Sequence, residues 1–290
     1  GGTVDFRIKK AAEGFKYNLI AQGSNNALRQ TYNDYKLVAD VSNRFLGNRF
    51  GIVGQIDTEK RNRSSNELGA NYWINGPSLV DTNIVLVSSL GLRDITRINN
   101  RLNGLFVLDA NIPNGNISLT NLYSRINKDE IVHSNSYGIV QDSRSFGTSD
   151  IQRVMTVATN SLLYEQQFSG FKVDAFLTHS FSGSVSPKTL NWNFNEPNAF
   201  KNPDLNAAPE DVPSFARNDT IDAFLTGVNM DSSANKETEL SHGVNVEFNF
   251  NFSRRVSAKI KLGNKYRTKR RYYDRFRRIS TLSLGSGQTA

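Results

Sequence analysis

The chain has 290 residues, of which 38% are hydrophobic and 10% aromatic, and a formal net charge of +8. Its mean hydropathy is −0.47, and no run approaches the roughly 18 apolar residues that a spanning helix needs; stretches such as Ile84 to Val87 fall far short. With no cysteine, disulfides and thiolate metal sites are excluded. A β-barrel escapes the helix test, because only every second residue of its strands must be apolar. The 21 Gly, 18 Phe and 10 Tyr fit a β-rich chain with many turns. Length allows one or two domains, and neither a linker nor an internal repeat is evident. The opening Gly1-Gly2-Thr3, without Met or signal peptide, reads as though cut from within a longer protein.

The charge is localised. Between Arg254 and Arg278 there are 12 Lys and Arg against one acid, Asp274. That stretch carries +11, and subtracting it from +8 leaves −3 on the remainder. The chain is therefore weakly acidic with a basic end, and a nucleic-acid reading would rest on that end alone.

In chain order, Val4, Phe6 and Ile8 alternate with polar residues as a short strand. Residues 15–23 and 35–45 repeat the pattern, the latter with Tyr35, Leu37, Ala39, Val41 and Phe45 on one face. Gly47-Asn48 turns the chain into Phe50, Ile52, Gly54 and Ile56. Residues 25–33 read as polar loop, and about 60–100 as a long connection. A strand from Leu102 to Ile112 meets the turn Pro113-Asn114-Gly115-Asn116, where Asn-Gly supplies positive φ. Ile117 to Ile126 returns, less cleanly patterned, before an expected loop over 127–150. Arg153 to Phe168, also blurred, turns at Ser169-Gly170 into Phe171, Val173, Ala175, Leu177 and Phe181. Residues 187–240, rich in Asn, Asp and Pro, read as the longest loop. The clearest hairpin follows. Val244, Val246, Phe248, Phe250 and Phe252 face Val256, Ala258, Ile260 and Leu262 across Ser253-Arg254-Arg255.

Two regularities point to a membrane barrel. Connections alternate, short at Gly47, Asn114, Ser169 and Arg254, and long after Glu59, Ile126, Ser186 and Arg271. The short turns are also flanked by large apolar residues, such as Phe45 and Phe50 or Phe168 and Phe171, as in an interfacial girdle. In lipid every backbone amide must be paired, so such a sheet has to close. The expected fold is all-β: an antiparallel transmembrane β-barrel, present here as an incomplete barrel segment of about nine strands.

Gly1 to Ala11 (GGTVDFRIKKA) resembles the close of the plug domain of TonB-dependent outer-membrane receptors. Asn160 to Pro187 (NSLLYEQQFSGFKVDAFLTHSFSGSVSP) and Ser257 to Arg271 (SAKIKLGNKYRTKRR) resemble barrel strands of the Bacteroidota-type members. The resemblance implies residues 1–14 as the end of the plug and a connector, and 15–290 as the N-terminal portion of a barrel of about 22 strands with a plugged lumen. It implies import of a scarce solute (siderophore, glycan or peptide), powered from the inner membrane, at the bacterial outer membrane. Expected partners are outer-membrane lipid and lipopolysaccharide, a TonB-type energy-coupling protein reached through the plug, a small solute and, as an open alternative, a surface lipoprotein. Nucleic acid is not among them. Competing readings are a structural or adhesive barrel without energised transport, and a soluble basic β-protein that binds nucleic acid.

Asp40, Asp57, Asp109, Lys172, Asp174, Glu247, Lys259 and Lys261 are expected on the lumen-facing side. There they would hold the plug and line a solute path, or simply meet the requirement that a water-facing interior be polar. Tyr72, Trp73, Trp192 and Phe194 are candidate loop contacts for a ligand, with self-packing as the alternative. His133, His179 and His242 lack metal-ligand spacing. The acids Glu210, Asp211, Asp219, Asp222 and Asp231 read as a solvated loop rather than a calcium site. No catalytic residue, metal site, cofactor or enzyme activity is expected. The basic run from Lys265 to Arg278 reads as lumen or rim charge, directed at an anionic ligand or at lipopolysaccharide phosphates.

Overall fold

The computed structural model describes residues 11–75, 84–201, 208–217, 221–251 and 257–280. The expected strand over residues 1–10, the hairpin joint at 253–255, the girdle residues Phe252 and Val256, and Asp219 lie outside them. The strands are β1 (Lys16–Asn26), β2 (Thr31–Phe45), β3 (Phe50–Asn62), β4 (Ser65–Asn75), β5 (Ile84–Ile112), β6 (Gly115–Gly138), β7 (Ser143–Gln167), β8 (Phe171–Pro197), β9 (Phe224–Asn251) and β10 (Ser257–Ser280). A 3-10 turn, Pro209–Phe215, lies between β8 and β9.

All ten strands form one antiparallel sheet in the order β1-β2-β3-β5-β6-β7-β8-β9-β10, with β4 on β5. Asn62 lies opposite Ile98 and Ser65 opposite Ile95, so β4 continues the line of β3 after a two-residue break. In effect the sheet is a nine-line meander. β1 and β10 are its two edges, and they do not pair with each other.

The expected loops are corrected. Residues 25–33 shrink to a turn at 27–30, and 127–150 to a turn at 139–142 between β6 and β7. Within 60–100, β3 runs on to Asn62, β4 follows and β5 begins at Ile84. Residues 187–240 include the end of β8, to Pro197, and the start of β9, from Phe224, so the expected loop shortens to the connection between them; β10 continues past Arg271 to Ser280. Tight turns therefore occur at both ends. The two ends differ in strand extension and in the connection between β8 and β9, which carries the 3-10 turn at the upper end. Hydroxyl and amide side chains pair across these extensions: Ser149 Oγ donates to Asn191 Oδ1 at 2.6 Å, and Ser145 Oγ to Asn195 Oδ1 at 3.1 Å. Such a ladder needs no apolar alternation, so the pattern vanished from the sequence while the backbone pairing continued.

The turn between β5 and β6 has two residues. Pro113 presets φ, and Asn114 takes the positive φ of 56° that the turn requires.

Register sorts the side chains onto two faces. Tyr35, Leu37, Ala39 and Val41 share one face with Ile56, Leu102, Phe106, Leu108, Leu177, Val244 and Ile260. Most of these are exposed, for example Leu177 at 47% and Ile260 at 49%. On β5 this belt runs from Leu102 to Ile112. That is about 33 Å of strand, or about 25 Å of height at a 40° tilt. The belt is interrupted by Asn121 and Asn160, which explains the blurred alternation of β6 and β7. At the turn end it closes on rings: Phe45–Phe50 at 6.1 Å, Phe168–Phe171 at 4.7 Å and Phe171–Phe248 at 5.8 Å between centroids.

Among the described residues no second layer covers the belt or the charged wall. The accessible surface is 19332 Å², against about 12,400 Å² for a compact protein of this mass. Most of the buried apolar residues gather in two small places. Ala11, Val53 and Val107 cluster on the polar face near the turns. Leu90, Tyr137, Ala199, Phe200 and Val212 cluster where Ala199, Phe200 and the 3-10 turn pack onto the tips of β5 and β6.

Candidate functional site

Register places all eight residues expected to face a lumen on one face of the sheet, opposite the belt. Three groupings emerge. At the turn end, Arg44 and Asp109 form a contact pair whose side chains are 8% and 2% exposed. Arg44 also donates to the backbone oxygens of Ala11, at 3.3 Å, and Asn48, at 3.1 Å. A Cβ on Gly51 would lie 2.7 Å from Ala11 Cβ and 2.9 Å from Arg44 Nη2. Glycine is thus what admits the incoming chain at Ala11 to this face.

Higher on the same wall, Asn103 Nδ2 donates to Asp57 Oδ1 at 2.7 Å, and Ser124 Oγ donates to Asn103 Oδ1 at 2.6 Å. This relay crosses β3, β5 and β6. Asp40 accepts from Asn18 Nδ2 at 2.9 Å. On the far side of the sheet, Lys172 pairs with Asp174 at 2.9 Å and Lys259 with Glu247 at 2.8 Å. Lys261 lies across from Glu247. The face is not uniformly polar, since Leu122, Val157 and Leu163 share it.

The strand extensions carry further ion pairs on this face. Glu130 holds Arg97, and Lys128 at 2.8 Å. Burial pushes its carboxyl up, but hydrogen bonds and charge from Lys128 and Arg97 outweigh that and leave it below the usual range. Asp231 is held low by hydrogen bonds from Arg277 first and then Arg275, against a smaller opposing effect of burial. Glu237 is held low by Lys269 and Arg271. Sequence reasoning missed Arg44, Arg97 and Glu130 as site residues. Arg44 was legible as a same-face neighbour of Asp40. The other two lay in a stretch read as connection or loop.

The four aromatic candidates divide. Phe194 stacks on Phe146 at 5.3 Å with 9° between planes. Both line a cavity of about 720 Å³ with Leu68, Leu92, His133 and Thr148, on the belt face beyond the belt itself. His133 Nδ1 lies 2.9 Å from Thr148 Oγ1. At the rim, Arg144 lies 5.3 Å from the Phe146 ring centroid and pairs with Glu196 at 2.7 Å. Trp192 is registered beside Thr148. Tyr72 and Trp73, on β4, are 56% and 48% exposed and do not line the cavity. None of the four is a loop residue, because all lie within strands. Among the described residues no group of three or more His, Asp or Glu could hold a metal ion.

The chain is thus an all-β protein built on one antiparallel meander, with an exposed apolar belt on one face and a charged, hydrogen-bonded wall on the other. Comparison with protein-family models, curated proteins and solved structures finds no match.

Proposed function

We propose that this chain is part of the wall of an outer-membrane β-barrel of the TonB-dependent receptor type, importing a scarce solute through a plugged lumen. The observation that carries the membrane half of this reading is the belt. A soluble monomer rarely exposes a contiguous apolar patch above a few hundred Å². This one runs across every strand line at about the height of a bilayer's hydrocarbon. The plug half is supported by Ala11, which is 8% exposed and packs on Val53 and Val107 of the charged face. In this reading the chain enters the barrel from the lumen side, at the end with the tight lower turns. A barrel without energised transport shares the belt but gives no role to that entry.

Val246→Arg and Asn245→Arg in the full-length protein test the faces. The first sets a charge among acyl chains and should cost about 2–4 kcal/mol near mid-bilayer, and the second much less. Equal costs in a folding titration in lipid would end the assignment. Transport is tested separately, by whether solute uptake is lost in a TonB-deficient strain while the barrel remains in the membrane.

A further inference from the structure

The basic end, once threaded onto β10, is not a diffuse patch. Between Lys259 and Arg277, every second residue faces the charged wall. Eight of those ten positions are Lys or Arg, and Gly263 and Tyr273 are the exceptions. The opposite face of the same stretch carries only Arg270. On β9 the facing acids are Asp231, Glu237, Glu239 and Glu247. Lys259 takes Glu247, Lys269 and Arg271 share Glu237, and Arg275 and Arg277 share Asp231. Lys261, Lys265 and Arg267 remain without a carboxylate within ion-pair distance among the described residues.

Glu247, already paired with Lys259, lies across from Lys261, and the wall opposite Lys265 and Arg267 is small and hydroxylic. Gly243 lies across from Lys265 and Ser241 across from Arg267. Thr178 lies beyond Ser241, bonded to Ser161 at 3.0 Å. The Lys265 ammonium lies 5.9 Å from the Phe176 ring centroid. Residues two apart on a strand are about 6.6 Å apart, so the three cations span about 20 Å of wall. Cations lining a confined passage gain little from one another and much from an anion, because like charges at this spacing repel and Arg and Lys bind carboxylate and phosphate with charge-assisted hydrogen bonds.

We propose that Lys261, Lys265 and Arg267 form a docking track for a solute bearing two or more carboxylate or phosphate groups. This deepens the transport reading and rests on it for the location of the track inside the barrel. The side on which these residues lie favours a lumenal anion over lipopolysaccharide phosphates, which would meet the belt face.

The test is calorimetric titration of the full-length protein in neutral detergent with tripolyphosphate and with citrate, using maltotriose as the uncharged control. The parent should bind both anions, more weakly as salt rises, and ignore maltotriose. The variant K261Q/K265Q/R267Q should lose at least tenfold. K261R/K265R/R267K, which keeps the charge, and R270Q/R278Q, on the other face, should stay within about twofold of the parent. Absence of anion binding by the parent, which is the outcome if an acidic plug or strand fills the track, overturns the proposal. So does an equal loss in R270Q/R278Q. Lipid exposure of the belt is measured independently, so failure of the barrel reading would be visible even if the anions bind.

Discussion

Asp109 and Asp57 lie on one face of adjacent strands, yet their surroundings differ enough to predict different costs of removal. Asp109 is paired with Arg44 out of solvent. Asp109→Ala strands a guanidinium there, and should cost about 3–5 kcal/mol. Asp57 is half-buried and accepts from Asn103, so Asp57→Ala should cost about 1 kcal/mol. Urea titration of the lipid-reconstituted protein separates the two, and comparable losses would mean that the pair is not sequestered. Gly51→Val supplies an independent check on the same spot, because the new side chain would displace Ala11, Arg44 or Asp109. Gly54→Val should be nearly silent, since nothing lies within 4 Å of a Cβ there.

The strands divide into a belt held by its apolar face and extensions held by polar ladders, and acid should distinguish them. Glu130, Asp231 and Glu237 all sit in the extensions with their carboxyls below the usual range. A depressed folded-state value means that the stabilisation is present above the unfolded carboxylate value of about 4 and is lost as pH falls through the lower, folded one. Hydrogen exchange between pH 7 and pH 3, corrected for intrinsic rates, should therefore show the upper halves of β6, β9 and β10 losing protection while the belt keeps its own. Uniform loss would mean that the extensions are not separately held. The same division explains what was legible beforehand. Where one face meets an apolar medium, period-two hydropathy is imposed, and Leu102–Ile112 and Val244–Phe250 were read correctly from it. Where polar side chains pair on both faces, nothing imposes it. The upper parts of β5 to β9 were thus read as loops, although Ser, Thr and Asn opposite one another hold the ladder there. The shared face of Asp40, Asp57, Asp109 and Lys172 followed from strand parity alone. The Arg44 pairing did not, because it depends on a register between distant strands and on Gly51 leaving room.

The excess surface of the single-layer sheet must be covered by something, and the two-faced reading says what touches each side. The chain has only two tryptophans, Trp73 and Trp192, and both lie in the extensions beyond the belt. In liposomes of lipids brominated midway along the acyl chain, neither should be quenched, because bromine quenches only at contact range. A tryptophan introduced at Leu177, on the belt face, should be strongly quenched. One at Thr178, the next residue and on the charged wall, should behave like the native pair. This contrast does not depend on stability or on the identity of any solute. It requires only that side chains alternate across a strand and that lipid lies on one side of it. Quenching at both positions would place acyl chains on the charged wall. Quenching at neither would mean that protein, not lipid, covers the belt, and a soluble two-layered assembly would then be the better account of the exposed phenylalanines and leucines.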